Sequence, residues 1–284
     1  MSNKAKAVIF MLLSALTFAV MSVFIRFAGD IPPAEKVIIR TIFSAFILFF
    51  VLKREKLPLW GKRWNQKLLI SRSLLGVIGI LFYFYGINYV ILADASMISR
   101  LNPFFVTFFA WFFLHERLPR LQLFSLLIVF LASLLIIKPQ FNSSFLPSLA
   151  IVGAAVFTGA SHTIVRALHF KEHPLTIVFY FSFASTIFLL PFVILDFVLP
   201  TGIQWIYLIG ISAMGLFSQI FLTFAFRLAP ASEVSIYSYS IIIFGAIFGY
   251  VFWGEVSDIY SIIGGVIIVI VSIILYIKQK HTVF

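Results

Sequence analysis

The chain contains no cysteine and few charged residues. Only 10 of its 284 residues are acidic, and charged residues of both signs make up 11% of the sequence. Without cysteine there is no disulfide framework and no thiolate site for metal or redox chemistry. Soluble domains carry about 25% charged residues, so this small charged fraction excludes an ordinary globular protein.

Long apolar runs occupy most of the sequence instead. Hydrophobic residues form 62% of the chain, and they are grouped in runs of about 20 residues, the length of a helix that crosses a ~30 Å hydrocarbon core. The first run exceeds the core of a signal peptide and ends in FAGD without a cleavage site, so we expect a retained span. The predicted spans are residues 7–29, 34–52, 68–90, 93–114, 121–138, 147–168, 174–199, 203–226, 231–253 and 257–277.

The basic residues indicate how the spans are oriented. The net charge of +11 could suggest nucleic-acid binding, but most Lys and Arg residues lie in short loops, where they act as topology signals. The loops around 88–94, 200–204 and 255–258 contain none. We therefore predict no nucleic-acid partner, a location in the cytoplasmic (inner) membrane, and both termini in the cytoplasm. The basic residues on the predicted cytoplasmic side are Lys53, Arg54, Lys56, Lys62, Arg63, Lys67, Arg117, Arg120, Lys171, Lys278 and Lys280.

An internal repeat relates the two halves of the chain. With an offset of 139 residues Asp94 falls on Glu233 and Glu116 falls on Glu255, although acidic residues are rare. Each half, 1–139 and 140–284, holds five predicted spans, so the second half must enter the membrane from the opposite side. We predict an all-α polytopic membrane protein of ten transmembrane helices, arranged as a 5+5 inverted-topology repeat whose central site can open to either face.

The fourth predicted span has a recognisable sequence. LADASMISRLNPFFVTFFAWFFLHERL, repeated as APASEVSIYSYSIIIFGAIFGYVFWGE, resembles the signature region of the drug/metabolite transporter superfamily, EamA branch, and IIRTIFSAFILFF resembles its Arg-led second helix. The resemblance covers essentially the whole chain. It implies a permease that moves a small metabolite through a central cavity lined by spans one, three, four, six, eight and nine. The chain departs from the family pattern at Arg100, usually apolar, and at Ile242, where the second half lacks a counterpart of Pro103.

Polar residues within the spans are the candidate binding groups. Ser96, Ser99, Arg100 and Thr107 follow helical spacings of three and four and share a face. Arg100 lies ~9 Å from the predicted start of its span, too deep for easy snorkelling, and should face a polar cavity. The serines could instead serve helix packing, and Arg40, at similar depth, could be structural. The predicted substrate-binding residues are Arg100, Arg40, Tyr83, Ser96, Ser99, His162, Gln219, Ser238 and Tyr239.

Other polar residues are expected to serve structure. Gly76, Gly79 and Gly86 form a stripe that permits close helix packing and borders Tyr83. His162 could relay protons or be a hydrogen-bonded interior histidine. Asp94 and Glu233 are predicted to cap helix starts, and Glu116 and Glu255 to fix turns. Arg26, Arg72, Arg166 and Arg227 lie near span ends, where their side chains should snorkel to the membrane surface.

Two short motifs suggest enzymes without supporting one. HFKEH at 169–173 matches an inverted zinc-protease pattern but has no further ligand, and GASH at 159–162 places Ser and His in adjacent positions that face different directions on a helix. We therefore expect no enzyme activity, no cofactor and no metal.

The sequence favours a secondary transporter of small polar metabolites, amino-acid-like or carboxylated. Efflux of amphipathic drugs or quaternary amines is the alternative, although no Asp or Glu lies in mid-span as a cation site would need. A lipid scramblase or a membrane-embedded enzyme is the alternative of another class. The expected partners are a small-molecule substrate and the lipid bilayer, and a monomer is plausible.

Overall fold

The computed structural model describes residues 3–99, 101–114, 145–168, 171–195, 197–228, 237–238 and 240–282, with residues 124–125, 127–128, 131–132 and 135–136. This part of the chain consists of helices and turns, without a strand. The helices are α1 (Asn3–Phe27), α2 (Pro33–Arg54), α3 (Gln66–Gly86), α4 (Leu92–Ser99), α5 (Asn102–Leu114), α6 (Phe145–Leu168), α7 (Pro174–Leu195), α8 (Gly202–Leu228), α9 (Ser240–Trp253) and α10 (Ile259–Thr282), and a 3₁₀ turn (Arg63–Asn65) precedes α3.

Within the part of the chain that the structure describes, five helical segments are long and apolar enough to cross a membrane. They are Ala5–Phe27, Arg63–Gly86, Phe145–Leu168, Pro174–Ile194 and Gly202–Ala225. Large apolar side chains such as Phe46, Phe192 and Tyr250 are exposed on the bundle surface, as expected where the solvent is lipid. The prediction of an all-α membrane protein is confirmed.

The fourth predicted span is interrupted in the structure. We predicted one helix over 93–114, but α4 ends at Ser99 and α5 begins at Asn102. The cause is Pro103, which has no N–H to donate to the carbonyl four residues earlier, that of Ser99. As the second residue of α5, Pro103 lies in the first helical turn, where no intrahelical N–H is required.

The other predicted boundaries hold to different extents. α6 and α8 begin within two residues of their predicted starts. α9 is described from Ser240, and residues 231–236 and 239 of its predicted span, 231–253, lie outside the described residues. Residues 237–238 form a short 3₁₀ segment. In the fifth predicted span, Ala132 and Ile136 pack against Gly264 of α10.

Helices of the first half pack mainly on helices of the second. The principal pairs are α1 with α8, α3 with α6, and α2 with α7. Smaller contacts join α5 with α6, α2 with α8, α3 with α7 and α1 with α9. This set is unchanged when α1, α2, α3 and α5 are exchanged with α6, α7, α8 and α9, their counterparts in the sequence repeat.

The same exchange holds for individual contacts. A methyl group at Gly79 of α3 would lie 3.2 Å from the carbonyl oxygen of Ala154 in α6. The Oγ of Ser218 in α8 donates to the carbonyl oxygen of Ser14 in α1 at 3.1 Å. Gly79 and Ser218 are 139 residues apart, and Ser14 and Ala154 are 140 apart, the two offsets of the sequence repeat.

The glycine stripe of α3 faces α6 at short range. A methyl group at Gly86 would lie 2.7 Å from the Pro147 carbonyl oxygen, and one at Gly76 would lie 3.1 Å from Ser161 Oγ. Ser161 Oγ also donates to the carbonyl oxygen of Arg72 at 2.8 Å. The predicted close packing is confirmed, because these backbones approach at distances that a larger residue would prevent.

Hydrogen bonds divide the loops between the two ends of the bundle. At one end, here called the odd-loop end (28–32, 87–91, 197–201 and 254–258), Gln204 Nε2 donates to the Ala28 carbonyl and the Val198 amide donates to Glu35. At the other, the even-loop end (55–62 and 171–173), Thr176 Oγ1 donates to the Pro58 carbonyl. The described loops that follow α1, α3, α7 and α9 therefore lie at one end, and those that follow α2 and α6 lie at the other.

Gly79→Ala should lower the stability of the purified protein in detergent by about 1 to 3 kcal/mol, the range for overpacking a core. The added methyl group would lie 2.6 Å from Thr158 Cγ2 and 3.0 Å from the Thr158 backbone nitrogen. Unfolding titrated with SDS and followed by tryptophan fluorescence measures the effect. Gly202→Ala is the control, since nothing lies within 4 Å of a methyl group there; equal stability of both variants would contradict the close contact.

Candidate substrate-binding site

Arg40 is a buried cation in the membrane interior. It is 5% exposed and lies seven residues into α2, ~10 Å from the odd-loop end by helical rise. Its Nε lies beside Gly215 of α8. Within the described residues, Nε and Nη1 have no hydrogen-bond partner. The structure therefore places this predicted site residue among protein atoms rather than at the membrane surface.

Arg72 of α3 is a second buried cation, and our prediction that it snorkels to the surface is wrong. It is 4% exposed. Its guanidinium lies over the ring of Phe181 in α7, 3.8 Å from the centroid. The side chain shares its helix face with Gly76, and that face is covered by α6 and α7, which closes the route to the surface. Nε and Nη1 again have no hydrogen-bond partner in the described part of the chain.

The carboxylates with described hydrogen bonds do not neutralise these two arginines. Glu35, Glu172 and Glu255 accept hydrogen bonds from loop groups or helix ends at the edges of the bundle. Arg40 and Arg72 are near enough to repel each other. Two unpaired cations in a low-dielectric interior are expensive, because desolvation is not repaid by an opposite charge.

A small cavity adjoins Arg72 on the side of the even-loop end. It has a volume of about 50 Å³ and lies between α3, α6, α7 and α8. Its polar lining comes from Arg72, His162, Gln219 and Thr223, so two predicted site residues meet an arginine that we had excluded. The space suits a few water molecules and is far below the ~300 Å³ of a typical ligand pocket. The bundle is therefore nearly closed at this point.

His162 belongs to a hydrogen-bonded chain beside the helix break. Its Nδ1 lies 3.3 Å from Asn102 Oδ1, and Asn102 Nδ2 donates to Thr158 Oγ1 at 2.7 Å. Asn102 is the first residue of α5, so the interruption of the predicted span brings this amide to α6. Sequence reasoning missed Asn102, although the pair Asn102–Pro103 is a helix-interrupting signal.

Three further predicted residues are engaged in helix packing. The hydroxyl of Tyr83 lies 3.0 Å from Ser22 Oγ of α1, and its ring contacts Phe18. Ser96 Oγ donates to the Leu92 carbonyl and packs against Gly245 of α9. Ser99 Oγ donates to the Ser96 carbonyl at 2.8 Å. These contacts agree with the packing alternative for the serines.

Several of the other predicted residues lie outside the described part of the chain. Arg100 and Tyr239 lie outside the described residues, as do Glu116 and Glu233, and so does the side chain of Thr107. Ser238 is half-buried in the short 3₁₀ segment that precedes α9.

An ion pair fastens the odd-loop end. Arg26 Nη2 lies 2.6 Å from Glu255 Oε1, and the Arg26 guanidinium rests on Trp253. Glu255 Oε2 also accepts from the backbone N–H of Leu92 at 3.0 Å. The prediction that Arg26 snorkels is therefore wrong, because a carboxylate and an aromatic ring hold it in the bundle. Arg166 and Arg227 are exposed, as predicted.

Asp94 also joins elements at this end. It is buried in the first turn of α4 and accepts hydrogen bonds from the hydroxyls of Ser257 and Ser261 at 2.7 and 3.1 Å. The carboxylate therefore connects α4 to the start of α10, beyond the local capping role that we predicted. An open cavity of about 430 Å³ lies nearby, lined by Arg26, Asp30, Asn88 and aromatic residues.

The zinc-protease-like motif has a structural role at the even-loop end. Glu172 Oε1 accepts from the Lys62 backbone N–H and from Asn65 Nδ2, both at 2.7 Å. His173 Nδ1 accepts from the Leu175 amide. Burial, aided by the charge of Arg227, lowers the pKa of His173, which favours its neutral form. His169 lies outside the described residues.

The described helices and their exposed apolar side chains define an all-helical membrane protein, and the relatives of the chain indicate a transporter rather than an enzyme. The EamA-like transporter family matches residues 5–138 and, a second time, residues 146–277. The chain belongs to this family.

Named relatives cover nearly the full length. The pseudopaline exporter CntI of Pseudomonas aeruginosa is 36% identical over 277 residues, 96% of each chain. The S-adenosylmethionine uptake transporter of Rickettsia prowazekii is 24% identical, over 95% of this chain and 92% of its own. A solved crystal structure shares the fold with a TM-score of 0.70 at 16% identity, covering 98% of this chain and 99% of its own.

Glu255→Gln should destabilise the protein in detergent by about 1 to 3 kcal/mol. A fully buried pair loses about 3 to 5 kcal/mol when one partner is removed, but these side chains keep 14% and 16% of their exposure. In a double-mutant cycle measured by SDS titration, adding Arg26→Gln to Glu255→Gln should lower the free energy of unfolding only slightly further. The reason is that Arg26 has already lost its partner in the Glu255→Gln variant. If the two substitutions lowered the free energy of unfolding by strictly additive amounts, the pairing would be contradicted. Glu55→Gln, at an exposed residue, is the control and should change the stability little.

Proposed function

We propose that the chain is a secondary transporter that moves a small carboxylated metabolite across the cytoplasmic membrane by alternating access. The observation that carries this proposal is Arg40, a buried cation whose Nε and Nη1 have no hydrogen-bond partner in the described residues. The cargo is an amino-acid-like solute or an organic acid that supplies the missing negative charge.

The proposal includes a ten-helix bundle built from two inverted halves, 1–139 and 140–284. It is supported by the second match of the family, at 146–277. It is also supported by the symmetric pairing of α1 with α8 and of α3 with α6. Inverted halves suit alternating access, because each half can take the conformation of the other and so open the central site to the opposite face.

The carboxylate preference follows from the chemistry of guanidinium. Its planar fork holds a carboxylate through two charge-assisted hydrogen bonds. Arg100 is proposed to share this role on the strength of its sequence position. A quaternary amine without an acid group would be repelled by these cations, which separates the proposal from drug efflux. Relatives named for pseudopaline, S-adenosylmethionine and riboflavin show that family membership alone does not select the cargo.

A thermal-shift screen of the purified protein tests the cargo class. We expect amino acids or organic acids to raise the melting temperature, and quaternary amines and uncharged nucleosides to leave it unchanged. Arg40→Gln should weaken binding of the best acid at least tenfold, the scale of losing a buried charge partner, and Arg100→Gln should do the same. Arg54→Gln, exposed at the end of the same helix, is the matched control.

Transport itself is measured by counterflow of the best acid in proteoliposomes. Saturable exchange is expected for a carrier, whereas a scramblase or an enzyme gives none. Strong binding of a quaternary amine, or normal acid binding by both arginine variants, would refute the carboxylate proposal.

Cysteine labelling tests the topology without interference, since the chain has no native thiol. A cysteine at Thr201, at the odd-loop end, should react with an impermeant maleimide added outside intact cells. A cysteine at Arg63, near the even-loop end, should react only after the membrane is opened. The opposite pattern would reverse the proposed orientation, and labelling of both from one side would exclude the inverted repeat.

A further inference from the structure

We infer that Arg72 and Arg40 form one two-cation site in the middle of the membrane, which holds a cargo that carries two negative charges. The inference rests on the proposed function and extends it to a residue that the sequence placed at the membrane surface. Two carboxylates or one phosphate dianion would supply this charge.

The depth of both groups is set by two glycines. A methyl group at Gly76 would lie 3.5 Å from Arg72 Nη1, and Gly215 lies beside Arg40 Nε. Gly76 is ten residues into α3, ~15 Å from the even-loop end, and Gly215 is thirteen residues into α8, ~20 Å from the odd-loop end. Both guanidinium groups therefore lie well inside the bundle, away from either end, next to glycines that the 139-residue repeat makes equivalent.

The second half of the chain has no counterpart of either charge. With the repeat offsets, Arg40 corresponds to Tyr180 and Arg72 to Ile211, so the equivalent helices form there without a cation. Phe181 contacts the Arg72 guanidinium through its ring face, and Arg72 Nε and Nη1 have no hydrogen-bond partner among the described residues. The helix pattern of the repeat is therefore compatible with neutral residues at both positions.

The two positive charges of Arg40 and Arg72 determine how many negative charges we expect on the cargo. One carboxylate bound between the two arginines would leave a net positive charge in a low-dielectric site, where an uncompensated charge is costly. A ligand with two negative charges neutralises both. The cavity beside Arg72, with Gln219 and Thr223 in its lining, provides neutral hydrogen-bonding groups on the side of the even-loop end.

The first test uses the protein without ligand. If Arg72 is an unpaired ligand-binding cation, Arg72→Met should raise the melting temperature of the detergent-purified protein, because a buried charge is replaced by an apolar side chain of similar length. Arg63→Met, exposed before α3, is the control and should change little. If Arg72 had a structural role, Arg72→Met would lower the melting temperature, and that result would overturn the proposal.

The second test measures binding of defined probes at constant ionic strength. The probes are the diacids from glutarate to suberate, the half-amide of each, and inorganic phosphate. The wild type should bind at least one diacid, or phosphate, at least tenfold more tightly than the half-amides. The Arg72→Gln variant should still bind the half-amide, and its affinities for diacid and half-amide should be nearly equal. The Arg40→Gln variant should bind both diacid and half-amide more weakly than the wild type.

The outcomes separate this inference from the proposed function. If Arg40→Gln weakens acid binding but Arg72→Gln leaves the preference for two charges unchanged, the carboxylate carrier stands and the two-cation site is refuted. Equal affinity for diacid and half-amide refutes it in the same way, as does a wild type that binds no diacid and no phosphate. Binding of quaternary amines in place of acids refutes both proposals. Preference for phosphate over every diacid identifies the dianion as a phosphate.

Discussion

The cost of an unpaired charge in hydrocarbon governs the arrangement of polar groups in this protein. Each carboxylate whose bonds are described sits at an edge of the bundle, where it holds a loop or a helix end, as Glu255 holds Arg26 and Glu172 holds Asn65. The small hydroxyls within the helices donate to nearby carbonyls. Against this background the two central arginines stand out, because the described residues give their Nε and Nη1 atoms no hydrogen-bond partner in an interior where charges are costly.

The features that could be predicted from the sequence are those that depend on local composition. Hydropathy predicted helices such as α6 and α8, because a segment surrounded by lipid must be apolar and must satisfy its own backbone. The spacing of Gly76, Gly79 and Gly86 predicted a close helix contact. The interruption at Pro103 could have been predicted too, since the proline effect is local, but the apolar run concealed it.

The environment of a side chain could not be predicted in the same way. Arg72 and Arg227 both lie near the ends of predicted spans, yet one is buried on Phe181 and the other is exposed. The difference depends on which neighbouring helices cover each face, and that is a tertiary property. Asn102 was missed for the same reason, because its partners His162 and Thr158 lie more than fifty residues away.

The break between α4 and α5 also changes the electrostatics of the membrane interior. A continuous span keeps its two polar ends at the membrane surfaces, whereas an interrupted one has an additional pair of ends within the bilayer. The aligned peptide dipoles of α5 give its first turn, at Asn102, a partial positive charge of about half an elementary unit. This positive end lies beside His162 and Thr158, while the negative end of α4 lies at Ser99. The break therefore adds a local dipole without an ionisable group, and its contribution is the same at every pH.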